Sequence, residues 1–521
     1  MQPSLWQPPI DLSPSEQAIS KRIKRAKLFI FLREHRHELF DTAFQQELAA
    51  LYQPSQRGQP PIAPALLALA TLLQAYTGAS DDEVIEAMTM DRRWQLVLDC
   101  LDAEEPPFSK GTLIAFRKRL IEANLDRRLI ERTIELAQAT RGFGAGPLRA
   151  ALDSSPLWGA SRVEDTYNLL GHALRKAMGV IARQQGRELS EIATEANASL
   201  LGGSSLKAAL DQDWDDPAAR EQALAVVLET LRTVEGWLET QPEGSDEPVV
   251  QYSMRAAQQV KQQDVAWTES GTASLRKGVA KDRRITIEDA QMRHGRKSRS
   301  VRVDGYKRHV LRDLESGLVR AVGITAANAP EASVTEAISA DLACQQVALR
   351  ELHIDRAYLS SVLVRDRAAD LQVYCKAWPV RNGTHFPKTA FHLDWQQQRI
   401  RCPNSQELPF ELGGVVHFPA EICAACPLRE RCTSSPHGRS VRIHPDEHFL
   451  CELRQRQLTP QGRAKLRERV AVEHALAHIG WWQGRRARYR GARKNLFDLR
   501  RAAVIHNLHV IARSPVAEQA A

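Results

Sequence analysis

The residues Arg-Glu-Arg-Val-Ala-Val-Glu-His-Ala-Leu-Ala-His, at positions 467–478, form the stretch around which we interpret the rest of the sequence. On a period of 3.6 residues, Glu473 falls on an otherwise apolar helix face with Leu466, Val470 and Ala477. A carboxylate on such a face is costly to bury unless a cation pairs with it, so we expect Glu473 to find partners elsewhere in the chain. The alternative is a surface pair of Arg469 with Glu473, which stabilises a helix by only about 0.2–0.5 kcal/mol.

The composition limits the class of protein before any motif is considered. The chain has 521 residues, 43% of them hydrophobic, and carries a net charge of +8 with a pI near 9.1. This length predicts roughly two to four domains, and the basic balance permits nucleic-acid binding. The polar, proline-rich stretch 1–14 does not have the pattern of a signal peptide, and the apolar run 63–76 is too short to span a bilayer. We therefore expect a cytoplasmic protein with no membrane partner.

Strand-like and helix-like segments alternate along the second half of the chain. Residues 148–152 form a short apolar strand that Asp153 ends, and the alternation in 349–355 puts Leu352 and Ile354 on one strand face and the polar residues on the other. Further strands are predicted at 306–312, 318–325 and 371–376, and helices at 330–344, 358–369 and 496–513, after helical stretches at 15–145 and 163–263. This order predicts an α/β fold with a mixed sheet.

Three acidic residues are candidates for one metal site. Asp153 and Asp355 each follow a predicted strand, and catalytic groups in α/β sheets collect at that edge. Two carboxylates brought together there repel each other, which favours a divalent cation between them. With Glu473 added, the set is large enough to hold two Mg²⁺ ions about 4 Å apart, as in phosphodiester chemistry. The alternative for either aspartate taken singly is a helix-cap or turn residue.

Four cysteines point to a second metal. Cys423 and Cys426 have the spacing that places two thiolates on one Zn²⁺, and Cys402 and Cys432 can complete a tetrahedron. Four sulfur ligands leave no open position, so the predicted zinc is structural. The alternative is four free thiols in a loop, although a segment with so few apolar residues would then have little to hold its fold.

Basic residues are concentrated in two segments that flank the acidic residues in sequence. Phosphate contacts from arginine and lysine give affinity for DNA that depends on salt but not on base sequence. Tyr489, Trp481 and Trp482 lie in or next to the second segment and can stack on bases or pack in the core. The predicted DNA-binding residues are Arg293, Arg296, Lys297 and Lys307 in the first segment, Arg485, Arg486, Arg488 and Arg490 in the second, and Arg469.

Several motifs together resemble the DDE transposases of bacterial insertion sequences, most nearly the group numbered eleven eighty-two, which carries a cysteine-rich insert. The motifs are Leu-Asp-Ser-Ser-Pro at 152–156, Arg-His-Gly-Arg-Lys-Ser at 293–298, Asp-Gly-Tyr-Lys-Arg-His at 304–309, Asn-Ala-Pro-Glu-Ala at 328–332, Ile-Asp-Arg-Ala-Tyr at 354–358, Arg-Val-Ala-Val-Glu at 469–473, Arg-Tyr-Arg-Gly at 488–491 and Ala-Ala-Val-Ile-His-Asn-Leu at 502–508. In the family's last motif a tyrosine precedes the arginine and a lysine follows the glutamate. Here those positions hold Leu466 and Gly480, while Arg469 matches, so the lysine's role would pass to Arg485 or Arg486.

The resemblance implies a ribonuclease-H-like catalytic domain with Asp153, Asp355 and Glu473 as its acidic triad. It implies a Mg²⁺- or Mn²⁺-dependent transposase that cleaves DNA at the terminal inverted repeats of a mobile element and transfers the strands to target DNA. Such enzymes act as dimers or larger assemblies on DNA, here in the bacterial cytoplasm with the nucleoid. Two alternatives remain: a non-catalytic DNA-binding regulator derived from a decayed transposase, and a host nuclease of the same fold.

The domain organisation follows from the same elements. The predicted domains are a helical, helix-turn-helix-like DNA-binding domain at 1–145, a ribonuclease-H-like core at 146–162 and 271–377, a helical insertion at 163–270, a cysteine-rich zinc insert at 378–445, and a C-terminal catalytic helix with a basic DNA-binding tail at 446–521.

Overall fold

The fold is described from a computed structural model that covers residues 2–54, 59–203, 205–269, 271–298 and 300–515. The chain forms two structural units. Unit 1 comprises 1–146, 154–346 and 474–521, and unit 2 comprises 147–153 and 347–473. In the described ranges, no helix combines the length and apolar character that crossing a membrane requires.

Unit 1 begins with a helical region, as predicted. Capping boxes at Ser13 and Ser80 and the N-cap Ser109 satisfy backbone N–H groups at helix starts, and Gly78 and Gly142 end two helices in the left-handed conformation that glycine adopts without strain. The helices are α1 (Pro14–Arg22), α2 (Leu28–Leu39), α3 (Thr42–Ala49), α4 (Pro64–Thr77), α5 (Asp81–Met90), α6 (Arg92–Leu98), α7 (Lys110–Glu122) and α8 (Arg128–Arg141).

The first strand, β1 (Leu148–Trp158), starts in unit 2 and ends in unit 1. The prediction that Asp153 ends this strand is wrong, because the backbone stays extended for five more residues. The helical stretch that follows in unit 1 has its own buried core and consists of α9 (Thr166–Gln184), α10 (Leu189–Glu195), α11 (Leu206–Leu210), α12 (Pro217–Glu239), α13 (Pro242–Ser245) and α14 (Pro248–Asp264), then the hairpin β2 (Val265–Trp267) and β3 (Ala273–Leu275).

An antiparallel set of strands completes unit 1. Strand β5 (Arg302–Asp313) pairs with β4 (Arg293–Arg296) and with β6 (Val319–Ala326), and β5 also neighbours β1. Gly305 lies so close to the end of β1 that a Cβ there would come within 2.3 Å of the Gly159 nitrogen, so only glycine fits. Helix α15 (Thr335–Cys344) follows β6, and the buried helix α22 (Ala492–Arg513) packs against α4, α8 and β6.

Unit 2 contains the parallel strands. The first half of β1 pairs with β7 (Leu349–Ile354), which pairs with β8 (Gln372–Cys375); Leu152 is opposite Ile354, and Ile354 is opposite Cys375. Parallel and antiparallel pairs together confirm the predicted mixed sheet. The helix predicted at 358–369 is only the short α16 (Val362–Arg365), because Asp355 caps a 3-10 turn over Arg356–Tyr358 first.

The cysteine-containing segment of unit 2 is built from very short elements. Strands β9 (His392–Asp394), β10 (Arg399–Arg401) and β11 (Glu407–Pro409) form an antiparallel sheet, and β12 (Val415–His417) pairs with β13 (Ser440–Arg442). Two short helices, α17 (Ala420–Ala424) and α18 (Arg429–Cys432), lie between them in sequence. The chain then forms α19 (Glu447–Arg456) and α20 (Pro460–Glu468), which lie wholly in unit 2. Helix α21 (Val470–Gln483) follows, and its residues up to Glu473 belong to unit 2.

Candidate active site

The strand register brings the two aspartates to one edge of unit 2. Leu152 and Ile354 are paired on neighbouring parallel strands. Asp153, inside β1, and Asp355, directly after β7, are the next residues of the chain, so both come at the same level of the sheet. The Asp153 side chain is 15% exposed. Asp355 accepts a hydrogen bond from the Ala357 N–H at 2.7 Å, so the turn-residue interpretation also holds for it. A capping carboxylate with its second oxygen available can still contact a cation.

Arg469 joins Asp153 to Glu473. One guanidinium nitrogen, Nη1, donates to Asp153 Oδ2, and the other, Nη2, donates to Glu473 Oε1 at 3.1 Å. The pair of Arg469 and Glu473 is therefore formed, as in the surface-pair alternative, but the same arginine also reaches a strand of the sheet. One positive charge thus holds two carboxylates that would repel each other without it.

The predicted apolar face around Glu473 is wrong. The helix breaks at Arg469, between α20 and α21, so Leu466 lies on a different helix from Glu473. On α21 the buried apolar residues are Val472, Ala475, Leu476 and Ile479, whereas Val470 is 44% exposed and Ala477 is exposed. The Glu473 side chain is 52% exposed. This carboxylate therefore needs no buried cation and is open to solvent, where a substrate can reach it.

The buried Cys375 thiol lies near the charges of Asp355, Arg356 and Arg469. Burial is the main cause that raises the pKa of Cys375 to about 12. The Asp355 carboxylate raises this pKa further, and the Arg356 and Arg469 guanidinium groups lower it. Cys375 is paired with Ile354 at the end of β8, so Asp355, Arg356 and Arg469 all act on the same strand ends.

The carboxylate oxygens suit a hard divalent cation. However, Asp153, Asp355 and Glu473 are not a set whose ligand atoms lie within 4.8 Å of one another; among the described residues, only Glu351, His353 and Glu468 form such a set. Arg469 supplies positive charge to Asp153 and Glu473.

The cluster of Glu351, His353 and Glu468 was not predicted. Glu351 is paired with Arg149 at 3.0 Å and with Lys465 at 3.1 Å, and His353 contacts both the Lys465 carbonyl oxygen and Glu351. The alternation in 349–355 indicated two polar neighbours on one strand face, but not that His353 is fully buried. Burial lowers the His353 pKa. Because Arg149 and Lys465 already neutralise Glu351, we assign the cluster to fastening α20 against β1 and β7.

The four cysteines line one cavity together with Phe386, Phe391 and Phe418. All four are free thiols of intermediate exposure. Burial raises the pKa of Cys432, and the nearby Cys423, Cys402 and Cys426 raise it further. Their sulfurs do not form a set within 4.8 Å among the residues that the structure describes, so a zinc ion would have to draw them together.

The predicted DNA-binding residues differ in how far their side chains are exposed. Arg293 donates to backbone oxygens of Ala290 and Met292, and Lys307 donates to the Ala329 oxygen at 3.0 Å. Arg469 is engaged by the two carboxylates. The residues with exposed surface are Arg296, Lys297, Arg485, Arg486, Arg488 and Arg490.

The second basic segment is anchored to the rest of unit 1 despite its exposure. Arg486 donates to the Gly159 oxygen at 2.9 Å, Arg488 donates to the Gly78 oxygen at 3.1 Å, and Arg490 pairs with Glu288. These contacts hold the backbone in one conformation, while the charged groups remain near the surface. Such a segment can present several positive charges to a phosphate backbone at low entropic cost.

The aromatic residues near this segment differ in their exposure to solvent and in their contacts. Trp481 is 83% exposed, whereas Trp482 stacks on His509 with ring centroids 5.3 Å apart. Tyr489 accepts a hydrogen bond from Arg501 at 3.2 Å. Of the three, only Trp481 presents most of its surface to solvent.

Fold and site together define a mixed α/β protein with an acidic strand edge and a basic surface. Two family models match it: one described as "Transposase DDE domain" over residues 401–512, and one described as "Transposase domain (DUF772)" over residues 17–119. No curated protein and no solved structure matches the chain. The two models match separate segments of the chain, and both matches support a function in DNA transposition.

The DDE match has consequences for both fold and chemistry. It covers Arg469, Glu473 and the four cysteines, but not Asp153 or Asp355. A DDE domain implies a ribonuclease-H-like fold, transposase activity and DNA binding, and such domains generally use divalent metals.

Proposed function

We propose that the protein is a DDE transposase that cleaves DNA at the terminal inverted repeats of a mobile element and transfers the strands to target DNA. Asp153, Asp355 and Glu473 are its catalytic and metal-binding residues. Two observations support the proposal: Leu152 and Ile354, the residues just before the two aspartates, are opposite each other in β1 and β7, and Arg469 contacts both Asp153 and Glu473. The acidic residues come from distant parts of the chain, and the DDE match includes the third.

The three carboxylates would hold Mg²⁺ or Mn²⁺. A pair of such ions would activate a water or a 3′-hydroxyl as nucleophile and would stabilise the leaving oxygen. Asp153 and Asp355 contribute rigid positions, since both lie at paired strands. Glu473 contributes an accessible carboxylate on a helix. Arg469 keeps Glu473 near Asp153 and has the fork geometry that binds phosphate oxygens.

We assign DNA binding to the exposed basic residues. Arg296 and Lys297 at the end of β4 and Arg485, Arg486, Arg488 and Arg490 would neutralise phosphates of the element ends or target. The helices of 1–145 would contribute a second DNA contact, which the N-terminal transposase match favours. A homodimer or larger assembly on paired ends is the expectation for this class of reaction.

We propose a structural Zn²⁺ in the cysteine-containing segment, held by Cys402, Cys423, Cys426 and Cys432. Two observations support it: the four side chains line one cavity, and the strands around it have only three residues each. The buried core of this segment is small and consists of Phe391, Ile400, Phe410, Val416, Phe418, Val441 and Ile443. Segments with so small a core usually need a metal or disulfide.

The decisive experiment changes each acidic residue to its amide. Asp153→Asn, Asp355→Asn and Glu473→Gln should each lower strand cleavage by more than about 100-fold, since even changes to outer-shell residues cost about 10–100-fold. Binding to end DNA should stay within a few-fold, because the basic residues are intact. Asp366→Asn, at an exposed aspartate in the same unit, is the matched control and should cleave normally.

The outcomes separate the alternatives. Normal cleavage by all three amide variants would refute the proposal. End binding without any metal-dependent nicking by the wild-type chain would favour a regulator, and hydrolysis without joining of strands to target DNA would favour a nuclease.

A further inference from the structure

One carboxylate of unit 1 lies between the helical insertion and the second basic segment. The Glu288 oxygen Oε1 is 2.8 Å from Lys176 Nζ and 3.2 Å from His172 Nε2, and both of these residues are on α9. The other oxygen, Oε2, accepts a hydrogen bond from Arg490 Nη1. Glu288 therefore contacts a helix of the insertion with one oxygen and a predicted DNA-binding arginine with the other.

Hydrogen bonds fix the backbone beside this contact. The buried carboxylate of Asp289 accepts from the Gly491 N–H at 3.0 Å, and Gln291 Oε1 accepts from the Ala492 N–H at 2.7 Å. The Tyr306 hydroxyl also donates to Asp289 at 2.7 Å. An ion pair between two mobile surface side chains contributes little. Here the segments 288–291 and 490–492 are already held against each other, so Glu288 and Arg490 meet without ordering more of the backbone.

The helical insertion does not have the charge of a DNA-binding surface. Residues 163–270 contain 18 acidic and 9 basic side chains, a net charge of −9, whereas the whole chain has a net charge of +8. Such a surface repels a phosphate backbone. We therefore expect the insertion to act on DNA binding indirectly, and the contact of Lys176 with Glu288 supplies a route.

Glu288 occupies a donor that a DNA phosphate would use. Burial acts to raise the Glu288 pKa, but the hydrogen bond from Lys176 and the charges of Lys176, Arg490 and His172 outweigh it and lower the pKa below its usual value. The carboxylate is therefore charged at neutral pH. Carboxylates and phosphates both fit the fork of a guanidinium. The Arg490 side chain is 58% exposed, so a phosphate can approach it and compete with Glu288.

We propose that Glu288 competes with DNA phosphate for Arg490, and that Lys176 of the helical insertion sets the strength of this competition. A phosphate that reaches Arg490 displaces Glu288 Oε2, and the carboxylate then keeps Lys176 as its partner. The inference rests on the proposed function, because it takes Arg490 as a phosphate contact. It makes Glu288 a positioning residue and gives the insertion a part in DNA affinity.

The affinity of the full chain for a DNA duplex of arbitrary sequence tests the competition. Glu288→Gln and Glu288→Ala should each tighten binding by about threefold to tenfold near 0.1 M salt, because Arg490 becomes free to neutralise a further phosphate. One more phosphate contact should make the slope of log K against log salt concentration steeper by about 0.9. Unchanged or weaker binding by both variants would overturn the proposal.

Two further variants show whether the gain in affinity passes through Arg490. Glu229→Gln removes the same charge from a glutamate of the insertion that is 62% exposed, and it should change the affinity by less than about twofold. In a chain that carries Arg490→Gln, the gain from Glu288→Gln should also fall below about twofold. A full gain without Arg490 would mean that Glu288 repels DNA in general, and the proposal would be wrong.

A double-mutant cycle tests the part of the insertion. Lys176→Met should weaken binding by about threefold in the otherwise wild-type chain, because Glu288 then pairs more firmly with Arg490, and by less than about 1.5-fold in a chain that also carries Glu288→Gln. Equal losses in both chains would show that Lys176 acts through its own charge and would contradict the link. No measurement here requires cleavage, so a failure of the catalytic assignment would appear separately, as normal cleavage by the amide variants.

Discussion

The two structural units differ in where their charged and metal-binding side chains lie and in what these side chains contact. Unit 1 buries several of its charges and satisfies them internally: Arg501 is fully buried and contacts Gln74 and Asp498 at 2.9 and 2.7 Å, and Asn507 bonds both the N–H and the oxygen of Val319. Unit 2 leaves two groups of metal-type ligands near the surface, the carboxylates around Arg469 and the four cysteines. The proposed metal sites therefore both lie in unit 2, and their removal should affect unit 2 more than unit 1.

Removal of the proposed zinc should give the largest difference between the units. A chelator should make the backbone amides of β9–β13 exchange rapidly with solvent, because structural zinc contributes about 10–16 kcal/mol in small zinc domains. The amides of α22 should keep their protection. Hydrogen exchange read by mass spectrometry measures both regions in one sample.

Single variants provide the control for this experiment. Cys423→Ser should reproduce the effect of the chelator, and Cys344→Ser, at an exposed cysteine of unit 1, should not. Unchanged exchange in β9–β13 after chelation, with no zinc in the purified chain, would show that this segment folds without a metal.

Acid should weaken unit 1 through a buried histidine. Burial lowers the pKa of His506 to about 4, with the nearby His478, Arg312 and His509 lowering it further and its bond to the Gly317 oxygen opposing the shift. The folded pKa is below the unfolded value of about 6.5, so this group's contribution is present above pH 6.5 and lost as pH falls toward 4. Between about pH 7 and pH 5 the expected loss is about 2 kcal/mol.

Urea unfolding at the two pH values measures this loss. His506→Asn removes the titrating ring and should be less stable than wild type at neutral pH but lose less on acidification. Parallel pH dependences of variant and wild type would show that His506 is not the responsible group.

Loss of Arg469 should destabilise unit 2 in a way that a cation can repair. Arg469→Gln leaves Asp153 and Glu473 without their shared donor and should lower the free energy of unfolding by about 1–2 kcal/mol when divalent ions are absent. Adding Ca²⁺, which binds carboxylates without supporting most cleavage chemistry, should restore more stability to the variant than to wild type. Arg469→Lys keeps the charge and should lie in between; equal stabilisation of all three chains by Ca²⁺ would contradict the shared-charge interpretation.

The smallest effect concerns thiol reactivity and leaves stability unchanged. Cys375 is 2% exposed and its pKa is raised to about 12, mainly by burial, whereas Cys344 is exposed. Near pH 8, iodoacetamide should modify Cys344 at least about 100-fold faster than Cys375, because the thiolate is the reacting form. Peptide mass spectrometry of the native chain measures both rates, and equal rates after urea denaturation would confirm that the fold causes the difference.

Much of the fold could be predicted because local signals were strong. Serine caps, apolar periodicity and glycine breaks correctly indicated the N-terminal helices, the helical stretch up to α14, and the hairpin of β5 and β6. The errors occurred where local signals are ambiguous. A polar residue after an apolar run looks like a strand end, yet β1 continues beyond Asp153 because its second half has its own neighbour, β5.

For the site residues too, the sequence predicted local features better than contacts between distant residues. The sequence singled out Asp153, Asp355 and Glu473 as acidic residues, and their assignment as a catalytic triad stays a prediction. It placed Glu473 on an apolar face, because the periodicity of 466–477 hides the helix break at Arg469. The cluster of Glu351, His353 and Glu468, and the contact between Glu288 and Arg490, depend on residues far apart in the chain, so no local pattern could indicate them.

By itself the sequence determined which segments are helical or extended and which chemical groups are available, because caps, periodicity and residue type act over a few neighbouring residues. Only the tertiary structure decided which of those groups meet. The register of parallel strands aligns Leu152, Ile354 and Cys375, and the helix break turns Arg469 toward Asp153. Pairing between distant strands is set by the packing of the whole unit, and that is why one strand edge gathers the carboxylates and the arginines.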